Sequence, residues 1–115
     1  MERPAILALI ERWLHAAVAQ PELFEQLVLG DATPFEQRAA ALRSAFTDRR
    51  ASVDELVVEG DRIAWRWSVS GTHVADFAGR AATGRRVTLR GVNFQRLAGE
   101  RVAEHWTLVD LDGLR

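Results

Sequence analysis

Arg62-Ile63-Ala64-Trp65-Arg66-Trp67-Ser68-Val69-Ser70-Gly71-Thr72-His73 alternates large apolar residues with polar ones at a period of two. Ile63, Trp65, Trp67 and Val69 fall on one face, and Arg66, Ser68 and Ser70 on the other. This is the pattern of a strand with one side against a core. The pattern recurs over Arg86–Leu97 and, past the punctuation of Ala98-Gly99, over Arg101–Val109. Three long antiparallel strands are therefore expected between Asp61 and Asp110. A twelve-residue strand spans roughly 40 Å, too long to lie flat in a small domain. Such strands twist and curl, and the concave face they form has to be filled.

The residues upstream supply the filling. Pro4–Gln20 predicts a helix, with Pro4 in the first turn and Ile6, Leu7, Ile10, Trp13, Leu14, Ala17 and Val18 along one face. His15 lies off that stripe and reads as a solvated residue. Pro21–Val28 predicts a second, short helix with Leu23, Phe24, Leu27 and Val28 inward, closed by Gly30. Thr33 is placed to cap a third helix, with Pro34 first and Glu36 completing a capping box; Phe35, Ala39, Leu42 and Phe46 give it an apolar side. Ser52–Val58 reads as a first strand and Gly60-Asp61 as a hairpin turn. Val74–Arg85 reads as a loop with a short extended piece near Asp76-Phe77. Helices followed by consecutive antiparallel strands make an α+β fold, a single domain over residues 1–115.

Composition removes several function classes. The formal charge is -1, which gives no basic field for nucleic acid. No apolar run has the length of a membrane span, and Met1-Glu2-Arg3-Pro4 lacks the layout of a signal peptide; a soluble cytoplasmic protein is expected. With no cysteine there is no thiol nucleophile or thiolate site. All 15 basic residues are arginine, so lysine Schiff-base chemistry is excluded, and with no tyrosine no phenol can donate to an oxyanion. Three dispersed histidines offer no metal-binding spacing, and Thr83-Gly84-Arg85-Arg86 is a turn entering a strand and not a phosphate loop.

Several short motifs then occur in order: Ala45-Phe46-Thr47-Asp48, Glu59-Gly60-Asp61-Arg62-Ile63-Ala64, Gly71-Thr72-His73, Thr83-Gly84-Arg85-Arg86-Val87, Gly91-Val92, Arg96-Leu97, and Glu104-His105-Trp106 with Asp110. Over roughly Ala45 to Leu114 this wording resembles the SnoaL-like polyketide cyclase family of the nuclear-transport-factor-2-like superfamily. The resemblance implies a cone-shaped, curved antiparallel sheet packed on N-terminal helices, with an apolar pocket between them and assembly as homodimers or larger homo-oligomers. It also implies intramolecular aldol ring closure with no cofactor. Ala81 and Ala82 stand where the family often has two prolines, and the usual tyrosine- and histidine-containing segment after the second helix is missing.

Aldol chemistry needs a base beside a carbonyl and a donor to the developing oxyanion. Strand parity places Leu89, Gly91, Asn93, Gln95 and Leu97 inside on the second of the three long strands, and Ala103, His105, Thr107 and Val109 inside on the last. Asn93 and His105 are then expected as close cross-strand neighbours, His105 as base and Asn93 as donor. Asp110 is the third catalytic candidate, assisting His105; it has the opposite parity and reaches the hollow only if a bulge or the strand end turns it. Trp65, Trp67, Trp13 and His73 are candidates for lining a substrate site. Each has a plainer reading beside it: His105 as a satisfied core histidine, Asn93 as a structural hydrogen bonder, Trp65 and Trp67 as core, His73 as a pin for the following loop. A ketosteroid-isomerase site fails for want of tyrosine. An epoxide-hydrolase Asp-Arg-Asp group is disfavoured because Asp54, Asp61 and Asp76 fall in or beside turns. The expected ligand is a small apolar carbonyl compound, with no nucleic acid, membrane or metal partner. Two functions remain open: a cofactor-free cyclase or isomerase, and a non-catalytic ligand-binding or dimerisation module. Val92, Phe94, Trp106 and Leu108, rimmed by Arg66, Arg90, Arg96 and Glu104, mark the outer sheet face as a partner surface.

Overall fold

The computed structural model describes residues 1–114. The first helix, α1, runs Arg3–Val18 with Pro4 in its opening turn, where the missing N–H has no intrahelical acceptor to lose. Its buried side is Ile6, Leu9, Ile10, Trp13, Leu14, Ala16 and Val18. Leu7 instead stays 38% exposed. The second helical segment is shorter than its apolar spacing suggests. A 3-10 turn at Pro21–Leu23 leads into a single turn, α2, Phe24–Leu27. Val28 leaves the helix to bridge Val102 in parallel, and the Leu29 N–H donates to the Val102 carbonyl at 2.8 Å. The third helix, α3, covers Thr33–Ala45. The capping box is not formed: Ala32 is the N-cap, and no side chain caps the helix from that position. Asp31 Oδ1 instead accepts the Thr33 N–H at 2.9 Å, satisfying one orphan donor from the residue before the cap.

α3 runs straight into β1, Phe46–Glu59, which is followed by β2 Arg62–His73, β3 Arg86–Ala98 and β4 Arg101–Asp110. The sheet is an antiparallel meander in the order β1-β2-β3-β4, curved and not closed. β1 begins well before Ser52. Its early residues escape the period-two pattern because register shifts fall between Thr47 and Arg50 and again between Val53 and Glu55, and each shift interrupts the alternation of faces. Asp54 therefore sits within a strand and not beside a turn. Arg49 holds the first irregularity in place. Its Nε donates to the Val18 carbonyl at 2.7 Å, and its Nη1 donates to the carbonyls of Arg43 (3.2 Å) and Phe46. One guanidinium thus serves the carbonyl-rich ends of two helices, where positive charge is favoured.

The faces of β2 and β3 follow the predicted parity: Ile63, Trp65, Val69, Val87, Leu89, Asn93, Gln95 and Leu97 are buried. On β4 the pairing slips once. Arg96 pairs with Glu104 but Leu97 pairs with Val102, so Ala103 has no opposite number and Val102, not Ala103, is the buried residue. Two apolar clusters lie on the concave side. The larger joins the α1 stripe to Phe24, Leu27, Ile63, Trp65, Val69, Leu97 and Val102; the smaller gathers Ala45, Phe46, Val87, Leu89 and Leu114. Trp67 packs against both. The link 74–85 is irregular, with one bridge between Phe77 and Arg80. No helix among the described residues is long and apolar enough to cross a membrane.

Candidate functional site

Two hydrogen-bonded rungs cross the inner face from β2 through β3 to β4. In the first, Trp65 Nε1 donates to Gln95 Oε1 at 3.0 Å, and Gln95 Nε2 lies 2.9 Å from His105 Nδ1. In the second, Trp67 Nε1 donates to Asn93 Oδ1 at 3.1 Å, and Thr107 Oγ1 donates to the same oxygen at 2.7 Å. The rungs exist because Trp65 pairs with Asn93 and Trp67 with Gly91 on one side of β3, while Gln95 pairs with His105 and Asn93 with Thr107 on the other. Gly91 is required by Trp67. A Cβ at that position would fall onto Cζ2 and Cε2 of the indole, with Cη2 at 2.9 Å. The bare backbone lets the ring lie across β3 and reach Asn93.

Helices α1, α2 and α3 supply an aromatic wall to this polar strip. Trp13 stacks on the His105 ring at 5.0 Å, and Phe35 meets it edge-on at 5.2 Å. Trp13 also makes edge contacts with Phe24 and Phe35 at 4.9 and 5.2 Å. Arg38 lies 5.5 Å above the Phe35 ring. Burial among these rings disfavours the imidazolium, and the Arg38 charge adds to it; together they push His105 down to about 4. At neutral pH it is an uncharged imidazole. Trp65, only 1% exposed, fills the core behind the strip.

Of the residues expected at a site, the structure brings Trp65, Trp67, Trp13, Asn93 and His105 to one side of the sheet. Asn93 and His105 are not directly opposed, however: Gln95 stands across from His105, and Asn93 across from Thr107. Gln95 and Thr107 were legible as inward by parity. What pattern alone missed is the Ala103 slip that sets the register, and with it the Gln95–His105 pair. Asp110 is not brought to His105. It is exposed at the end of β4, opposite Arg90, and its Oδ1 accepts the Asp112 N–H at 2.9 Å. His73 is fully buried at the end of β2, stacked on Phe46 at 5.0 Å. Its Nδ1 accepts the Thr83 N–H at 3.2 Å, which ties the 74–85 link to the sheet. Among the described residues His73 Nε2 has no hydrogen-bond partner. Asp54 faces outward, and hydrogen bonds from Ser68 and then Ser52 hold its carboxyl below the usual range. Among the described residues no group of three or more potential ligands converges to hold a metal.

The outer face has a different character. Phe94, Trp106 and Leu108 are 55%, 56% and 63% exposed, and the first two meet edge-on at 6.1 Å. A groove of about 230 Å³ borders this pair beside Arg62, Arg96 and Glu104, and one of about 280 Å³ runs past Arg66, Arg90, Val92, Leu108 and Asp110. Arg96–Glu104 and Arg66–Glu55 ion pairs, each at 3.0 Å, rim the patch.

The family model for SnoaL-like polyketide cyclases matches residues 7–115. Among solved structures, TsrD from Streptomyces laurentii superposes with a TM-score of 0.81 at 28% identity, over 99% of this chain and 94% of that one. IdmH from Streptomyces antibioticus gives 0.79 at 24% identity, over 98% and 96%. A SnoaL-like polyketide cyclase from Agrobacterium tumefaciens gives 0.75 at 18% identity, over 95% and 91%. No curated protein matches the chain.

Proposed function

Because the chain belongs to the SnoaL-like polyketide cyclase family, we propose that its cyclase-type small-molecule role is to hold a small, largely apolar carbonyl compound against the inner face of the sheet. The observation that carries this reading is the polar strip of Asn93, Gln95, His105 and Thr107 set between tryptophans and an aromatic wall. A few placed polar groups in apolar surroundings recognise one oxygen on a greasy skeleton. His105 and Asn93 meet that oxygen; Trp13 and Trp67 flank the skeleton. In the cyclase reading the same contacts stabilise an enolate oxygen during an intramolecular aldol closure, where a fixed donor acts without solvent reorganisation. Titration of intrinsic tryptophan fluorescence with 1-tetralone and with tetralin, its analogue lacking the carbonyl, tests the binding step. The ketone is expected to bind roughly 2–10-fold more tightly, the worth of one hydrogen bond. Equal affinity for the two, or no binding of either, overturns the reading.

One observation favours the non-catalytic alternative: among the described residues no carboxylate is buried on the inner face. A poly-β-ketone substrate separates the two readings, since a pure binder leaves the rate of ring closure at its buffer value. We further propose that the outer patch of Phe94, Trp106 and Leu108 joins two copies of the chain. Large apolar side chains in a charged rim are the make-up of an interface core and its border.

A further inference from the structure

The hydrogen-bond chain Trp65–Gln95–His105 has only one possible polarity. An indole N–H donates and never accepts. At 3.0 Å from Trp65 Nε1, the Gln95 amide must present its oxygen to the tryptophan, and its NH2 is thereby turned to His105 Nδ1 at 2.9 Å. A nitrogen that accepts cannot carry a proton, so the ring proton of the neutral imidazole sits on Nε2. We infer that Trp65 and Gln95 are positioning residues that lock His105 as the Nε2-protonated tautomer, so that at the carbonyl site proposed above, on which this role rests, His105 acts as a hydrogen-bond donor and not as a base.

The surroundings oppose every way out of this arrangement. Protonating Nδ1 sets two donors head to head across 2.9 Å. Turning the Gln95 amide to relieve them aims its NH2 at the Trp65 N–H, and both groups are buried. Trp13 stacks on the imidazole and Phe35 meets it edge-on, and neither ring supplies a hydrogen-bond acceptor for a proton on Nδ1. Arg38, beyond Phe35, is the charged group that acts on the ring, and it too disfavours a cation. The neighbouring rung has the same sense. Asn93 Oδ1 is taken by both Trp67 and Thr107, which leaves the amide hydrogens without an acceptor among the described residues. Both rungs thus spend their acceptors inside the protein and leave N–H groups unspent. The complementary ligand atom is an acceptor oxygen: a ketone carbonyl, or more strongly the enolate derived from it.

The test is a long-range 1H–15N spectrum of the histidine rings in the full-length labelled protein at pH 7, which needs no ligand. His105 is expected as a single neutral Nε2–H tautomer. In Trp65→Phe the amide is free to turn, and the two ring nitrogens should move toward averaged shifts. In Gln95→Glu the carboxylate accepts only, so the proton should transfer to Nδ1 and the pattern invert; tetralone affinity should then fall about 2–10-fold. A wild-type spectrum with Nδ1–H or averaged nitrogens overturns the inference, as does an unchanged tautomer in both variants. If the tautomer is as stated and tetralone fails to bind, the carbonyl reading falls while the positioning of His105 stands.

Discussion

Gly91→Ala is expected to destabilise the protein although nothing in its backbone demands glycine. Its φ is not positive, so alanine can adopt the conformation, and in an open strand position alanine would stabilise by about 0.4–1 kcal/mol through the unfolded chain. What forbids it is Trp67. The new methyl lands on the indole, and packed β2 and β3 backbones leave the ring as the part that must move. Displacing it adds an overpacking cost of about 1–3 kcal/mol and loses the Trp67–Asn93 hydrogen bond, about 0.5–1.5 kcal/mol. A net loss of about 0.5–4 kcal/mol follows. With unfolding entropy near 2.1 cal/mol/K per residue, that lowers Tm by roughly 2–17 °C. Urea unfolding at pH 7.5, followed by circular dichroism, gives the free energy, and a red-shifted tryptophan emission reports the displaced ring. The decisive comparison is the same substitution in a Trp67→Val background, where the sign should reverse and alanine should be neutral or stabilising. If Gly91→Ala costs the same with and without Trp67, the glycine serves some other end and the reasoning fails.

Three further expectations are independent of that one. His105 is depressed to about 4 in the folded chain from 6.5, so the unfolded chain takes up a proton first as pH falls. Stability is therefore full above about pH 6.5 and declines between about 6.5 and 4, by at most about 3 kcal/mol; urea midpoints across that range should show the slope, and His105→Phe should flatten it. Arg49→Ala removes bonds to the carbonyls of Val18, Arg43 and Phe46 and should cost about 2–4 kcal/mol in urea unfolding. Arg49→Lys should recover only part of that, because an ammonium cannot fork between carbonyls. Trp106→Glu places a charge in the centre of the outer patch, and sedimentation velocity should show a smaller species than wild type at equal concentration; an unchanged sedimentation coefficient removes that face as the joining surface.

β2 and β3 were legible nearly to the residue because each is buried on one face only, so every second side chain records which way the chain faces. The same holds for α1, where a 3.6-residue period records the core side. β1 was legible only from Ser52 on. Its beginning is held by a single arginine reaching two helix ends, and such a contact leaves no periodic trace in Thr47-Asp48-Arg49-Arg50. The cap of α3 was misplaced by one residue, from Ala32 to Thr33, for a similar reason: Asp31, Thr33 and Glu36 all carry side chains able to cap, and the entering backbone chooses among them.

For the site, composition and parity were enough to nominate Trp65, Trp67, Asn93 and His105 for the inner face, whereas Asp110, nominated with them to assist His105, lies exposed at the end of β4. They could not say which pairs meet. Extending the pairing of Leu97 with Val102 without interruption would put Gln95 opposite Glu104, and one unpaired residue at Ala103 moves Gln95 opposite His105 instead. Side-chain alternation is a property of each strand taken alone, and it is written in the order of residues. Register is a property of two strands together, decided by where the packing of Val102 beneath α2 and Val28 pulls the edge strand inward. On that displacement rest the polarity of the hydrogen-bond chain and the chemistry His105 can do.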